Sequence, residues 1–328
     1  GGHVIEDEDA TKAERRTKPL WQRYYHLVVV AKNQTGLGNL FSLVKKSYKH
    51  GFYRFPRIDY KLLKQHSEGL VVSTACVGGL ASGLIFREFP EKTFAEFHPN
   101  LVDDPDTAQR IMKRLENMTD RFVDAVGREN FFLEMQFNDL PAQHLANRCL
   151  LDLSDRTGIP LIATADSHFP DPNKWQAREL YKKLGWMGSK INEQMLPKRE
   201  DMKCMLYPKN ASQMWDEFRD GYQKYDFYEG KEEIVRDAIE RTHDIAWQMC
   251  EDTWIDTSVK LPKFGSPEKP AFSMLADLVK AAMIREGLAD KPEYVERVKE
   301  EMSDIKFLGY EAYFLAMYKI FHLAEKKT

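Results

Sequence analysis

An aspartate and a histidine, Asp166 and His168, directly follow an apolar run without charge in the segment LIATADSHFP (161–170). Cys76 follows a second such run, LVVSTA, and precedes the glycine pair at 78–79. Carboxylate, imidazole and thiolate groups all bind divalent zinc, and alternate residues of an extended segment can be turned towards one centre. The three side chains are therefore candidates for a metal site.

Each candidate also has a structural interpretation. An isolated Asp-x-His is a weak motif, and on spacing alone a turn aspartate that caps the helix beginning in DPNKWQARELYKKLG (171–185) is the commoner case. A single cysteine such as Cys76 is more often a small buried apolar residue than a ligand. Which interpretation holds depends on whether the surrounding elements bring these residues together.

Strands separated by amphipathic helices are predicted from residue 26 onwards. The strand candidates are the apolar runs at 26–31, 68–76, 130–136 and 159–165. Two of the helices between them have clear signatures, one over 104–127 and one over 141–158 that ends at Gly158. The first carries an apolar stripe made of Ile111, Leu115, Met118, Phe122 and Val126.

These strand candidates are nearly continuous runs of Val, Ile and Leu, which indicates burial on both faces. Such strands are typical of a parallel sheet covered by helices, so we expect an α/β fold, either a barrel or an open sheet. Folds of this kind place their chemistry at the C-terminal ends of the strands. Cys76, Asp166 and His168 all follow strand candidates in that way.

The pattern changes beyond residue 185. A less regular stretch leads to a helix predicted over 230–250, with a core-facing stripe of Ile234, Ala238, Ile239, Ile245 and Met249. A proline-containing connection without amphipathic period follows, and after it only helices are predicted. We therefore expect one domain over 1–270 and an all-helical segment over 271–328.

Composition excludes some classes of protein. With 328 residues, 43% hydrophobic and 30% charged, the chain is typical of globular proteins, and no apolar run approaches the roughly 20 residues of a membrane span. The net charge of −3 neither supports nor excludes a DNA partner. Four widely spaced cysteines without a CxxC pair, and no secretory signal, predict a reducing, cytoplasmic location without a membrane partner.

Both ends of the chain suggest an excerpt from a longer protein. The sequence begins with Gly1 in a polar stretch. The last predicted helix carries Phe314, Met317 and Phe321 at helical spacing, an apolar face that needs a partner. An oligomer interface would explain that face equally well.

A short aromatic and basic segment, GFYRFPRID (51–59), has two interpretations. Arginines interleaved with aromatic residues can stack on and pair with single-stranded DNA. A connection between a helix and a strand, packed by its own aromatic side chains, is the more common arrangement.

Three blocks of the sequence resemble one family. YYHLVVVAKNQTGLGNLFSLVKKSYKHGFYRFPRIDYKLLKQHSEGLVVSTACVGG is similar to the middle of the PHP (polymerase and histidinol phosphatase) domain of the bacterial replicative DNA polymerases of the C family. GIPLIATADSHF resembles the last metal motif of that domain. YVERVKEEMSDIKFLGYEAYFLAMYKIFHLAEKKT is similar to the helices that open the polymerase palm. The blocks occur in the family's order, from about residue 24 to the end.

The resemblance implies a partial, distorted TIM-like β/α barrel over 1–270, without its first β/α units, followed by the helical start of the palm over 271–328. It also implies a metal cluster to which His26, Cys76, Asp166 and His168 would contribute, binding zinc, manganese or magnesium. His26 enters only through the resemblance, because it begins its predicted strand. The ligands that open the family's set, an HxH pair, an aspartate, a histidine and a glutamate, would lie upstream of Gly1, and His3 does not replace them.

The function implied by the resemblance is that of a part of a replicative DNA polymerase. The parent protein would extend a primer–template with dNTPs by two-metal nucleotidyl transfer, using magnesium, and would work with a proofreading subunit and a sliding clamp. None of the polymerase carboxylates matches a residue of this chain, so its own activity stays open.

Three roles for the PHP portion are compatible with this resemblance. It could hydrolyse phosphodiesters as a 3′ to 5′ proofreading exonuclease, or it could be a non-catalytic scaffold that stabilises the polymerase and docks a separate proofreading subunit. A free-standing small-molecule phosphoesterase is disfavoured by the helices that follow residue 270.

Overall fold

The computed structural model describes residues 2–4, 24–53, 55–187, 204–258, 260 and 262–325. The strands are β1 (Gly2–Val4), β2 (Tyr25–Ala31), β3 (Leu70–Ser73), β4 (Phe131–Met135) and β5 (Leu161–Ala163). The first helices are α1 (Gln34–His50), α2 (Tyr60–Gln65), α3 (Leu80–Phe86), α4 (Pro105–Val126), α5 (Pro141–Thr157) and α6 (Trp175–Met187). The later ones are α7 (Ala211–Tyr222), α8 (Glu232–Asp244), α9 (Ala271–Arg285), α10 (Pro292–Leu308) and α11 (Glu311–Glu325).

The five strands form one mixed sheet in the order β1-β2-β3-β4-β5. The pairs β3–β4 and β4–β5 are parallel, as predicted, whereas β2 is antiparallel to both β1 and β3. The expectation of a parallel sheet is therefore wrong for β2. An apolar run predicts that a strand is buried, but it does not indicate whether the strand runs parallel or antiparallel to its neighbours.

Side chains of the central strands alternate between two apolar layers. In β4, Phe131 and Leu133 belong to the main core, and Phe132 lies on the opposite face in a small cluster with Val71 and Ile162. Ile245 and Met249, in a π-helical turn that continues α8, pack against that cluster. The sheet is therefore covered on both faces at β3, β4 and β5, as their composition predicts, whereas Val28 and Val30 leave one face of β2 exposed.

The helix α4 confirms the prediction made from its apolar stripe. All five stripe residues are buried in the main core, and the helix begins where Asp104 accepts a hydrogen bond from the Thr107 backbone nitrogen. The helix α5 ends at Gly158, whose φ of 65° is the left-handed conformation that glycine adopts without strain. Local patterns thus place both helices correctly.

The predicted core stripe of α8 is wrong at one position, Ile234. Val235 is fully buried there, while Ile234 is exposed. Ala238 and Ile239 are buried, as predicted. The two candidate positions differ by about 100° around the helix, and the packing of neighbouring elements, which the sequence does not reveal, selects one of them.

The chain divides into two compact units, Gly1–Trp254 and Ile255–Thr328. The first unit holds the sheet and the second holds α9, α10 and α11. The domain boundary predicted near residue 270 lies within the second unit and stays a prediction. In the described part of the chain, no helix is both long and apolar enough to cross a membrane, and Cys76, Cys149, Cys204 and Cys250 are free thiols.

Candidate metal centre at the strand ends

The antiparallel direction of β2 brings His26 to Cys76. His26 lies near the start of β2, and in an antiparallel pair this is the end next to the C-terminal end of β3. The distance from His26 Nδ1 to Cys76 Sγ is 3.7 Å. Two residues that are 50 positions apart in the sequence are therefore neighbours, and His26 shares the edge of the sheet where chemistry was predicted.

The loop after β3 has the shape that this contact requires. Ala75, immediately before Cys76, has a φ of 61°, a left-handed conformation that costs an L-residue about 1–2 kcal/mol. The His26 backbone N–H donates to the Gly78 carbonyl at 2.8 Å. A Cβ at Gly78 would lie 2.9 Å from His26 Nδ1, so glycine is needed for this close approach.

Asp166 is also in a left-handed conformation, with a φ of 48°. It does not cap the following helix. That role belongs to Asp171, whose carboxylate accepts from the Asn173 backbone nitrogen in the turn that leads into α6. The backbone is thus strained after both β3 and β5, at Ala75 and at Asp166. This strain favours a functional over a structural interpretation of Cys76 and Asp166.

His168 is oriented by its own turn. Its Nδ1 lies 2.6 Å from the backbone oxygen of Asp166 and 4.0 Å from the Asp166 carboxylate. Because a carbonyl oxygen can only accept, Nδ1 carries the proton in this hydrogen bond, and the lone pair of the neutral ring is then on Nε2. Metal-binding histidines are commonly held in this tautomer by a backbone carbonyl.

The electrostatics of Cys76 suit a cation. Burial, followed by the negative charges of Asp166 and Glu134, raises the pKa of the Cys76 thiol to about 11. A thiolate, the form that binds metals, is therefore disfavoured unless a positive charge is close by. The donor atoms N, S and O fit a divalent metal in kind.

The described side chains supply these donors as two pairs. They include no group of three or more His, Cys, Asp or Glu residues placed to hold a metal ion. His26 with Cys76 is one pair and Asp166 with His168 the other, so further ligands would be needed to complete a coordination shell.

A buried glutamate beneath this edge was missed by sequence reasoning. Glu134, in the middle of β4, is 4% exposed. Its carboxylate accepts from the Ser73 hydroxyl, from Thr164 Oγ1 at 2.6 Å and from Gln136 Nε2 at 3.2 Å. It thus joins β3, β4 and the residue after β5. The charge within the apolar run NFFLEMQ was the feature that could have revealed it.

A cavity of about 560 Å³ opens beside the end of β5. It is lined by Thr164 and Ser167, which follow β5, and by Lys209, Thr242 and His243. Lys209 is paired with Glu217 at 2.8 Å, with only 2% of its side chain exposed. Ser167, between Asp166 and His168, therefore borders a space of mixed polar and apolar lining that is large enough for a small ligand.

Comparison with known families agrees with this architecture. Residues 5–138 match the family model described as the PHP domain. Over these residues the chain is therefore similar to PHP domains. The match includes His26 and Cys76 and ends before Asp166 and His168.

The similarity to individual proteins extends over nearly the whole chain. The chain is 29% identical to the DNA polymerase III subunit alpha of Aquifex aeolicus, and the alignment covers 96% of this chain and 25% of that protein. The subunits of Borreliella burgdorferi and Helicobacter pylori are 28% and 26% identical, over 96% and 99% of the chain. The resemblance to the alpha subunit of bacterial DNA polymerase III is confirmed. The chain spans about a quarter of the length of these relatives.

Proposed function

We propose that this chain is the PHP-containing part of a bacterial replicative DNA polymerase, acting in the cytoplasm, and that its PHP portion binds a divalent metal through His26, Cys76, Asp166 and His168. The observation that carries the metal-binding proposal is the 3.7 Å contact between His26 and Cys76. It joins two ligand types at the edge of the sheet where Asp166 and His168 also lie.

The polymerase assignment rests on similarity to the alpha subunits over 96% of the chain. On this proposal the parent protein binds a DNA primer–template and dNTPs, uses magnesium for nucleotidyl transfer, and works with a proofreading subunit and a sliding clamp. The first unit would be a partial, distorted TIM-like barrel, and the helices over 271–328 would begin the palm. Primer extension by the full-length parent protein tests this assignment.

For the PHP portion we propose 3′ to 5′ exonuclease activity. A zinc, manganese or magnesium ion would supply Lewis acidity towards a phosphodiester. Of this chain's own groups, His168 would bind through Nε2 while Nδ1 stays on the Asp166 carbonyl, and the cavity beside Ser167 would receive the 3′ nucleotide. Glu134 would keep the three strand ends in place through Ser73 and Thr164.

A non-catalytic scaffold is the second candidate, favoured by a separate observation. The helix α11 exposes Tyr313, Phe314, Ile320 and Phe321, each by more than two fifths. An exposed apolar face of this size is typical of surfaces that pack on another protein or domain. In this role the metal would stabilise the PHP fold, and the exposed face of α11, in the segment that would begin the palm, would pack on the rest of the polymerase or dock the proofreading subunit.

Metal content distinguishes the presence of the site from its absence. We expect Cys76→Ser and Asp166→Asn to lower the metal bound per chain, measured by mass spectrometry of the purified protein. Cys250→Ser and Asp124→Asn are the matched controls, since Cys250 is another partly exposed free thiol and Asp124 an exposed carboxylate paired with Lys64. Equal metal content in all four variants would exclude these ligands.

Nuclease activity then separates the two roles. We expect the parent protein, freed of its proofreading subunit, to remove mismatched 3′ ends in a reaction that Asp166→Asn abolishes. If chelation instead lowers the melting temperature and there is no 3′ end removal to lose, the scaffold role is correct and the exonuclease proposal is wrong.

A further inference from the structure

The helix α1 has an aromatic face directed away from the core. Its buried residues are Gly36, Leu43 and Ser47. At about 100° per residue, Phe41 and Tyr48 fall on the side of the helix opposite Leu43 and Ser47. The core therefore leaves these two rings uncovered.

The aromatic surface continues into the loop after α1. Phe52 stacks on Tyr48 with ring centroids 6.0 Å apart, and the Arg57 guanidinium lies 5.4 Å from the ring centroid of Tyr53. We define the aromatic–basic patch as four aromatic residues and two lysines of this surface: Phe41, Tyr48, Phe52, Tyr53, Lys45 and Lys49. Its four aromatic residues are 53–60% exposed. The segment GFYRFPRID joins two helices and not, as predicted, a helix and a strand, and its aromatic side chains make ring contacts while staying about half exposed.

The patch lies in a long stretch of the chain that has basic but no acidic residues. No Asp or Glu occurs from residue 24 to residue 58, although the whole chain has a net charge of −3. The same stretch contains six cationic residues, Lys32, Lys45, Lys46, Lys49, Arg54 and Arg57. The next acidic residue, Asp59, caps α2 by accepting from the Leu62 backbone nitrogen. Within the part of the chain that the structure describes, no ion pair involves Lys45 or Lys49.

We propose that the aromatic–basic patch binds single-stranded nucleic acid. Exposed rings interleaved with cations are the combination that stacks bases and neutralises phosphates. Phe41 and Tyr48 are about 10 Å apart along the helix axis, which corresponds to about three nucleotides at the spacing of stacked bases. A protein partner is less compatible with this surface, because lysine is depleted from protein–protein interfaces.

This site goes beyond the proposed function, because it includes none of the candidate metal ligands. It would bind a single strand through residues other than those of the metal centre, whichever role the PHP portion has. Binding should therefore persist in a chelating buffer and in the Asp166→Asn variant, so that failure of the metal proposal leaves this one intact.

The test is fluorescence anisotropy of a labelled oligothymidylate of about 20 nucleotides, long enough to cover one or more binding sites, with the full 328-residue chain. We expect the double variant Phe41→Ala/Tyr48→Ala to bind at least about tenfold more weakly, since each lost stack weakens binding severalfold. The double variant Lys45→Gln/Lys49→Gln should reduce the slope of log affinity against log salt by about 1.4.

The matched controls are Tyr181→Ala, which removes a tyrosine that is 77% exposed on α6, and Lys113→Gln, which removes an exposed lysine on α4. Both should bind as the unmodified chain does. Three results would overturn the proposal: no binding by the unmodified chain at low salt, an equal loss in the controls, or unchanged oligonucleotide binding in patch variants that lose binding to the remainder of the polymerase. The last result would identify the patch as a protein interface. Unfolding curves check that every variant is folded.

Discussion

His144 should make the protein less stable in mild acid. This histidine of α5 is 1% exposed, and its Nδ1 lies 2.8 Å from the Tyr228 hydroxyl. The same hydroxyl accepts from Asn147 Nδ2 at 2.7 Å, so its one proton is directed at His144 Nδ1. The hydrogen bonds of the site therefore fit the neutral ring, and protonation would place two donors against each other.

The magnitude follows from the pKa of His144. Burial lowers it from 6.5 to about 4, with Lys224 acting in the same direction, while Asp139 and a backbone hydrogen bond at Asn138 oppose the change. Each tenfold change in proton affinity is worth about 1.4 kcal/mol, so the difference corresponds to about 3 kcal/mol of stability. Since the pKa is lower in the folded state, this stability is present above pH 6.5 and is lost as the pH falls towards 4.

The free energy of unfolding can be measured by urea titration at a series of pH values, with tryptophan fluorescence as the signal. The variant His144→Gln, which cannot titrate at this position, is the control. The stability advantage of the unmodified chain should shrink by about 3 kcal/mol between pH 6.5 and pH 4. Parallel pH dependence of the two proteins would refute the reasoning. If His144→Gln does not fold, NMR titration of the His144 ring in the unmodified chain replaces it, and a midpoint near 6.5 would refute the same claim.

Three further substitutions test the packing and hydrogen bonds by urea unfolding. Tyr228→Phe should cost about 2–4 kcal/mol, because it leaves His144 and Asn147 without their shared partner; a cost below about 1 kcal/mol would contradict this network. Thr164→Val should cost about 1–3 kcal/mol by removing a donor to the Glu134 carboxylate, whereas a neutral effect would mean that water replaces the hydroxyl. Gly83→Ala should cost about 1–3 kcal/mol, because its Cβ would lie 2.1 Å from the Tyr25 ring. The control Gly38→Ala, with open space around the new methyl group, should be neutral or stabilising by up to about 1 kcal/mol, and equal effects of the two substitutions would be inconsistent with the packing.

The candidate site was predictable in part. Asp166, His168 and Cys76 could be located at strand ends because apolar runs indicate where buried strands stop. His26 could not be found in this way, since its importance depends on β2 running against β3. Glu134 was overlooked because its apolar neighbours define the strand, and two of the three partners of its carboxylate, Ser73 and Thr164, are distant in sequence.

The sequence by itself determined the local elements of this protein. The stripe from Ile111 to Val126 and the left-handed stop at Gly158 depend on interactions within a few residues, so their patterns can be read along the chain. The strands pair with distant segments, but their burial leaves an apolar run that can also be read along the chain. Only the tertiary structure decided the direction of β2, the burial of Val235 in place of Ile234, and the exposure of Tyr48 and Phe52. These features depend on which elements pack together, and periodicity in the sequence indicates that a face is apolar without indicating what covers it.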